Sequence, residues 1–102
     1  MKYITKYKSP NYNSRNKSKI KLIIIHYTAL RNTKEAITYL CTKEKKVSSH
    51  YLISQNGVIY NLVNEKFRAW HAGQSFWQDI VDINSFSIGI ELDYNPNGEN
   101  NK

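Results

Sequence analysis

The ordered part of the sequence begins with the apolar run Leu22-Ile23-Ile24-Ile25, which leads directly into His26. A β-branched run of this length is too short for a helix, and it predicts a central strand that is covered on both faces. His26 lies at the carboxyl end of this strand, where α/β proteins place ligand-binding groups. From position alone, a hydrogen-bonded core histidine and a ligand-binding histidine are equally good interpretations.

A helix is predicted from about Thr33 to Lys43. Asn32 can cap its first turn, and Glu35 follows three residues later. The apolar face of this helix consists of Ala36, Ile37, Leu40 and Cys41. Because Cys41 lies on that face, we interpret it as a small core residue.

The strongest turn signal in the chain is Gln55-Asn56-Gly57, because Asn-Gly supplies the positive φ angles of a tight hairpin. The flanking segments, His50 to Ser54 and Val58 to Val63, are the predicted strands. His50 begins the first of them, and we favour a packing role for it over a ligand role.

The last predicted strand is Ser87 to Leu92, where apolar residues alternate with small or polar ones. Glu91 shares one face of this strand with Ser87 and Gly89. We interpret the two small neighbours as leaving space above the carboxylate, as the floor of a pocket would.

The order strand, helix, hairpin, loop and strand predicts an α/β domain with a mixed β-sheet and flanking helices. A single helix of about eleven residues cannot cover a four-stranded sheet. A short helix near Phe76 to Ile83 would add cover. Without it, one face of the sheet stays open for a partner or for a segment that this sequence lacks.

Composition indicates one small folded domain, since the chain has 102 residues of which 40% are hydrophobic. The single cysteine excludes an internal disulfide and a multi-cysteine zinc site, so histidine and carboxylate would have to hold any metal. No apolar run reaches the ~20 residues of a membrane span. Residues 1–19 lack the apolar stretch of a secretory signal, and we expect a cytoplasmic location.

The net charge of +7 is concentrated at the N-terminus, where seven lysine and arginine residues and no acidic residue precede Leu22. Tyr3, Tyr7 and Tyr12 are interleaved with them, a combination that can contact phosphates and stack on bases. The rest of the chain is balanced in charge, so we favour a solvated leader over a nucleic-acid-binding arm. We therefore divide the chain into a basic extended arm at 1–19, a domain at 20–94 and a polar tail at 95–102.

The loop Arg68-Ala69-Trp70-His71-Ala72-Gly73 places an aromatic ring and an imidazole among small residues, which suits a binding surface. From spacing alone, His26, His71 and Glu91 could form a zinc or general-base site. No compact ligand motif such as H-E-x-x-H is present to support that grouping.

Four segments together carry a family resemblance: Ile24-Ile25-His26-Tyr27-Thr28-Ala29, Val47-Ser48-Ser49-His50-Tyr51-Leu52-Ile53, the loop from Arg68 to Gly73, and Asn84-Ser85-Phe86-Ser87-Ile88-Gly89-Ile90-Glu91-Leu92. In order and spacing they resemble the type-2 N-acetylmuramoyl-L-alanine amidase family. That family includes bacterial cell-wall amidases and is related to phage amidases and animal peptidoglycan recognition proteins. The resemblance covers most of the chain and includes Ser9-Pro10-Asn11.

The resemblance implies a zinc hydrolase that cuts the amide bond between N-acetylmuramic acid and the L-alanine of the stem peptide, with peptidoglycan or a muropeptide as its partner. It also implies that His26 is a zinc ligand and Glu91 the catalytic acid or base. The residues that border the substrate groove would be Trp70, His71, Ala72 and Gly73. Zinc lowers the pKa of its bound water toward ~7, and a carboxylate can pass a proton to the leaving amine.

The sequence departs from the family at its C-terminal end. Family enzymes take two further zinc ligands, a histidine and then an aspartate or cysteine, from a segment after a long helix. The sequence given ends at Lys102, so we expect a truncated amidase domain that lacks the C-terminal helix and the final zinc-ligand segment. Activity would then need a complementary C-terminal chain. The alternatives are a non-catalytic muropeptide-binding module and, in third place, nucleic-acid binding through the basic arm.

Overall fold

The structure is a computed structural model that describes residues 2–73, 78 and 80–94. These residues form seven strands, one α-helix and two short 3-10 helices. The strands are β1 (Tyr3–Ile4), β2 (Tyr12–Ser14), β3 (Leu22–Tyr27), β4 (Tyr51–Ile53), β5 (Ile59–Asn61), β6 (Phe67–Ala69) and β7 (Ser87–Leu92). The α-helix is α1 (Thr33–Leu40), and the 3-10 helices are Lys43–Lys45 and Ile83–Phe86.

A mixed five-stranded sheet with the order β1-β5-β4-β7-β3 forms the centre of the fold. β7 runs parallel to both β3 and β4, β5 is antiparallel to β4, and β1 is parallel to β5. β2 and β6 form a separate antiparallel pair. The mixed sheet that the element order predicts is therefore confirmed.

The helix α1 is capped as predicted, because Asn32 Oδ1 accepts a hydrogen bond of 2.8 Å from the Glu35 N–H. The helix ends at Leu40, three residues before the predicted Lys43. The buried core, with Cys41 packed against it, consists of Ala36, Leu40, Leu52 and Leu62. Since Leu52 belongs to β4, α1 covers the face of the sheet to which Leu52 points.

The predicted hairpin is confirmed, since β4 and β5 pair antiparallel on either side of residues 54–58. Gly57 has a φ of 84°, and its N–H donates to Ser54 O over 2.9 Å. Asn56 does not share this positive φ. The Ser54 N–H donates to Val58 O, so the connection is the three-residue loop Gln55-Asn56-Gly57, in which the positive φ lies at Gly57 alone.

The N-terminal segment lies extended, as expected, but it packs on the domain: β1 pairs with β5 and β2 pairs with β6. Ser9 and Asn11 are buried. Ser9 Oγ donates to Leu40 O over 2.6 Å, and Asn11 Nδ2 donates to Thr42 O and Val47 O over 2.9 Å each. The expectation of a solvated leader is therefore wrong, because charge counting ignores the polar side chains that attach the segment. The boundary at residue 19 stays a prediction.

β3 lies at the edge of the described sheet, so the prediction of a central strand covered on both faces is wrong. The exposed fractions of Ile23, Ile25 and Tyr27 are 66%, 61% and 58%. Their register partners on β7 are also apolar: Ile88, Ile90 and Leu92. A strand with apolar side chains on both faces indicates that each face packs against other residues, but it does not indicate which residues those are. The expectation that one face of the sheet stays open therefore holds for the outward side of β3 among the described residues, whereas Ile88 on the same face is buried.

The connection between β6 and β7 is described in part. The helix expected at Phe76 to Ile83 falls partly outside the described residues; residues 80–82 are not helical, and a 3-10 helix begins at Ile83. The expected polar tail at 95–102 lies outside the described residues. Within the described part of the chain, no helix has the length and apolar character that crossing a membrane requires.

Candidate active site

The register of the two parallel strands β3 and β7 places His26 directly beside Glu91. On the other side of Glu91, the register partner is Leu52 of β4. Neighbouring strands lie about 4.8 Å apart, and register partners point to the same face of the sheet. The predicted metal ligand and the predicted acid or base are therefore brought together, on the face that α1 covers.

The space over Gly89 is filled by the imidazole of His71. A Cβ atom at Gly89 would lie 2.3 Å from a ring carbon of His71, which is closer than real Cβ contacts come. Glycine is required here because its lack of a side chain admits the ring. The interpretation that small residues leave open space above Glu91 is wrong at this position, since the space holds an imidazole.

His71 connects β3 to β7 through its two ring nitrogens. Its Nδ1 lies 3.0 Å from Nε2 of His26, and its Nε2 lies 2.9 Å from Oγ of Ser87. Only 8% of His71 is exposed. Burial first, and then the positive charges of neighbouring basic groups, lower the pKa of His71 to about 3. The His71 ring is therefore neutral at physiological pH.

His50 lies deeper in the site and is fully buried. Its Nδ1 accepts a hydrogen bond of 3.0 Å from the Gly89 N–H, and its Nε2 lies 2.8 Å from Phe67 O. Because Nδ1 acts as an acceptor, Nε2 carries the proton and donates it to Phe67 O. Burial lowers the pKa of His50. These contacts match the packing role favoured from the sequence.

Arg15 is a site residue that sequence reasoning missed, since charge counting assigned it to the solvated arm. It is 6% exposed. Its guanidinium donates to four backbone carbonyls at 2.9 to 3.2 Å, those of Glu65, Asn84, Ser85 and Ser87. Arg15 therefore holds the segment that leads into β7 in place. One feature of the sequence could have indicated that Arg15 packs on the domain: it follows shortly after Ser9-Pro10-Asn11, which belong to the family resemblance.

Glu91 is 7% exposed, and burial raises its pKa to about 7. A carboxyl group with a pKa near neutrality can both accept and donate a proton at physiological pH, as acid/base catalysis requires. Burial has the opposite effect on the imidazole beside it and lowers the pKa of His26.

A cavity of about 520 Å³ lies against the connection between β6 and β7. It is lined by all four loop residues predicted to border a substrate groove: Trp70, His71, Ala72 and Gly73. Lys46 also contributes to its lining, as does Arg68, whose guanidinium is held by Asp82 Oδ1 at 2.8 Å. His71 lines this cavity and also contacts His26, whereas His26 and Glu91 are not among its lining residues.

His26 is the residue that the family resemblance implies as a zinc ligand. Its Nδ1 has no hydrogen-bond partner among the described residues, whereas its Nε2 contacts His71. Nowhere in residues 2–73, 78 and 80–94 do three His, Cys, Asp or Glu side chains lie close enough to hold a metal ion. Catalytic zinc sites use three protein ligands. The described residues therefore fit one position of a zinc site and do not complete it.

Known proteins resemble this chain in sequence. A family model described as N-acetylmuramoyl-L-alanine amidase matches residues 16–102. N-acetylmuramoyl-L-alanine amidase AmiD of Escherichia coli (strain K12) is 43% identical over 82 residues, which cover 74% of this chain and 29% of AmiD. 1,6-anhydro-N-acetylmuramyl-L-alanine amidase AmpD of Haemophilus influenzae is 35% identical over 103 residues, covering 83% of this chain and 56% of AmpD. The chain thus spans only part of the length of these relatives.

Solved structures resemble it in fold. A crystal structure of a selenomethionine derivative of AmpD matches with a TM-score of 0.76 and 27% identity, covering 91% of this chain and 60% of that one. The complex of Escherichia coli AmiD with the substrate anhydro-N-acetylmuramic acid-L-Ala-D-gamma-Glu-L-Lys matches with a TM-score of 0.66 and 37% identity, covering 88% and 35%. The mixed sheet described above is the fold of these proteins.

Proposed function

Because the chain belongs to the N-acetylmuramoyl-L-alanine amidase family, we propose that it carries part of an active site that hydrolyses the amide bond between N-acetylmuramic acid and L-alanine. The observation that supports this most strongly is the register that pairs His26 with Glu91. The substrate class is a muropeptide or peptidoglycan, the class to which the ligand in the AmiD complex belongs.

In this proposal the two residues have different tasks. Glu91, with its pKa raised to about 7, takes a proton from the attacking water and returns it to the nitrogen of the leaving L-alanine. Nδ1 of His26 is this chain's donor toward zinc, the cofactor that the family resemblance implies. The remaining donors of a zinc site are not among the described residues. The groove for the substrate is the cavity bordered by Trp70 to Gly73.

The test is a fusion in which residues 1–94 replace the matching part of Escherichia coli AmiD. We expect zinc-dependent release of L-Ala-D-gamma-Glu-L-Lys from the muropeptide. Glu91→Gln and His26→Ala should each reduce the rate roughly 10²- to 10⁴-fold. Glu44→Gln is the matched control, because Glu44 is exposed and lies outside the site. A folded fusion that shows no hydrolysis, or that keeps its rate with Glu91→Gln, would refute the proposal.

A muropeptide-binding module without catalysis is the second candidate. It is supported by the cavity that Trp70, His71, Ala72 and Gly73 line. Such a module would retain peptidoglycan in the presence of a zinc chelator, and Trp70→Ala would weaken that retention. Nucleic-acid binding is a weaker candidate, because the rest of the chain is balanced in charge and one of the seven basic groups of the N-terminal segment, Arg15, is buried and occupied by backbone carbonyls.

The cytoplasmic location expected from the sequence also stays a proposal. Immunodetection in separated cytoplasmic and envelope fractions tests it, and recovery of the protein in the envelope would overturn it.

A further inference from the structure

Three contacts in a line connect His26 to the backbone. Nε2 of His26 lies 3.0 Å from Nδ1 of His71, and Nε2 of His71 lies 2.9 Å from Oγ of Ser87. The line ends where Ser87 Oγ donates to the carbonyl oxygen of Ile83 over 2.7 Å. Ser87 is fully buried and His71 nearly so, so water cannot replace a partner in the inner part of this line.

The carbonyl at the end of the line determines where the protons are. A carbonyl oxygen can only accept, so the single hydroxyl proton of Ser87 points to Ile83. Ser87 Oγ must then accept a proton from Nε2 of His71. A neutral His71 protonated at Nε2 has a lone pair at Nδ1, and this lone pair accepts from Nε2–H of His26. The proton of a neutral His26 is therefore on Nε2, and its Nδ1 carries a free lone pair.

The reverse order of protons makes one hydrogen bond fewer. If Ser87 donated to His71, then His71 would donate from Nδ1 to His26, and His26 would be protonated at Nδ1. The carbonyl oxygen of Ile83 would then lose the Ser87 hydroxyl as its donor. Since buried polar groups are disfavoured when they lose a partner, the first order prevails.

We propose that His71 and Ser87 are positioning residues that hold His26 in the tautomer protonated at Nε2, so that Nδ1 is its only atom able to bind a metal ion or accept a proton. Metal-binding histidines commonly donate their second ring N–H to a fixed acceptor, and here that acceptor is another imidazole. Gly89 contributes by leaving the space in which the His71 ring lies. The inference rests on the proposed function only in taking His26 as a working residue of the site.

The test uses NMR on the ¹⁵N-labelled chain in the presence of a metal chelator, at about pH 8, above the ordinary histidine pKa of about 6.5. The ¹⁵N shifts of the ring nitrogens, correlated with the ring protons, identify which nitrogen of His26 and of His71 is protonated. We expect Nε2 protonation in both rings. Protonation of His26 at Nδ1 in the unaltered chain would overturn the inference without any variant.

A variant of Ser87 tests whether this residue sets the tautomer of His26 or only fills space in the core. Ser87→Ala removes the acceptor of His71 Nε2–H, so both proton orders then make equally many hydrogen bonds and a population of His26 protonated at Nδ1 should appear. Ser85→Ala is the matched control, because Ser85 is a buried serine that bonds to Arg68 and Asp82 but not to a histidine. An unchanged His26 tautomer in Ser87→Ala, or an equal change in Ser85→Ala, would refute the proposal that His71 and Ser87 set the tautomer of His26. Because no activity is measured, loss of hydrolysis in the AmiD fusion would leave this result intact.

Discussion

Replacing Glu91 with glutamine should make the chain more stable at high pH and leave its stability unchanged at low pH. Burial raises the pKa of Glu91 from 4.5 to about 7 in the folded chain. The folded state therefore binds a proton more tightly than the unfolded state, and its stability falls as the pH rises from 4.5 to 7. At about 1.4 kcal/mol per pKa unit, the full penalty above pH 7 is about 3 kcal/mol. Glutamine is neutral at every pH and avoids this penalty.

The assay is urea denaturation of both chains with a chelator present, at pH values from about 4.5 to 8.5. Subtracting the two free energies of unfolding cancels every titrating group that the chains share. The difference should be near zero at the acidic end and should reach about 3 kcal/mol in favour of Glu91→Gln above pH 7. The exposed Glu44→Gln should stay within about 0.5 kcal/mol throughout. A difference that is constant with pH, or that favours glutamate at pH 8, would show that Glu91 is not a desolvated carboxyl.

Other substitutions test the packing around the site. Arg15→Ala leaves four carbonyls, three of them buried, without their charged donor, and urea denaturation should show a loss of at least about 3 kcal/mol; a loss below about 1 kcal/mol would contradict the burial of the guanidinium. Gly89→Ala should displace the His71 ring and remove the nuclear Overhauser contacts between His71 and His26, whereas retained contacts would contradict the close packing. Leu52→Ala should cost about 2 to 5 kcal/mol in denaturant, and a near-neutral result would place Leu52 outside the core. Ile25→Lys should reduce the binding of a hydrophobic dye without loss of stability, unless the outward face of β3 is covered in solution.

The sequence predicted local structure correctly where the contacts join residues that are close together along the chain. The Asn32 cap bonds to Glu35 three residues away, and the hairpin closes around Gly57. The alternation in β7 assigned Glu91 to the face that carries the site. The parallel pairing of β3 with β7 was the long-range step that brought His26 to Glu91, and the family resemblance had already linked these two residues.

The sequence could not reveal contacts between distant segments. Arg15 bonds to the carbonyl of Ser87, and no local pattern distinguishes it from a solvated arginine in a basic segment. His71 was expected on a binding surface, but its ring lies over Gly89, because a side chain and a missing Cβ fit together only after the chain has folded. The apolar run of β3 predicted cover on both faces, and hydrophobicity alone does not tell whether a covering segment is present.

The central claim is that His26 and Glu91 act together in hydrolysis, and a double-variant comparison of reaction rates tests it. The rate of muropeptide hydrolysis would be compared among four AmiD fusions: unaltered, His26→Ala, Glu91→Gln, and the double variant. Residues that act as one catalytic unit give non-additive losses, so the double variant should be no slower than the slower of the two single variants. Losses that multiply would show that the two residues act independently and would contradict a shared active site.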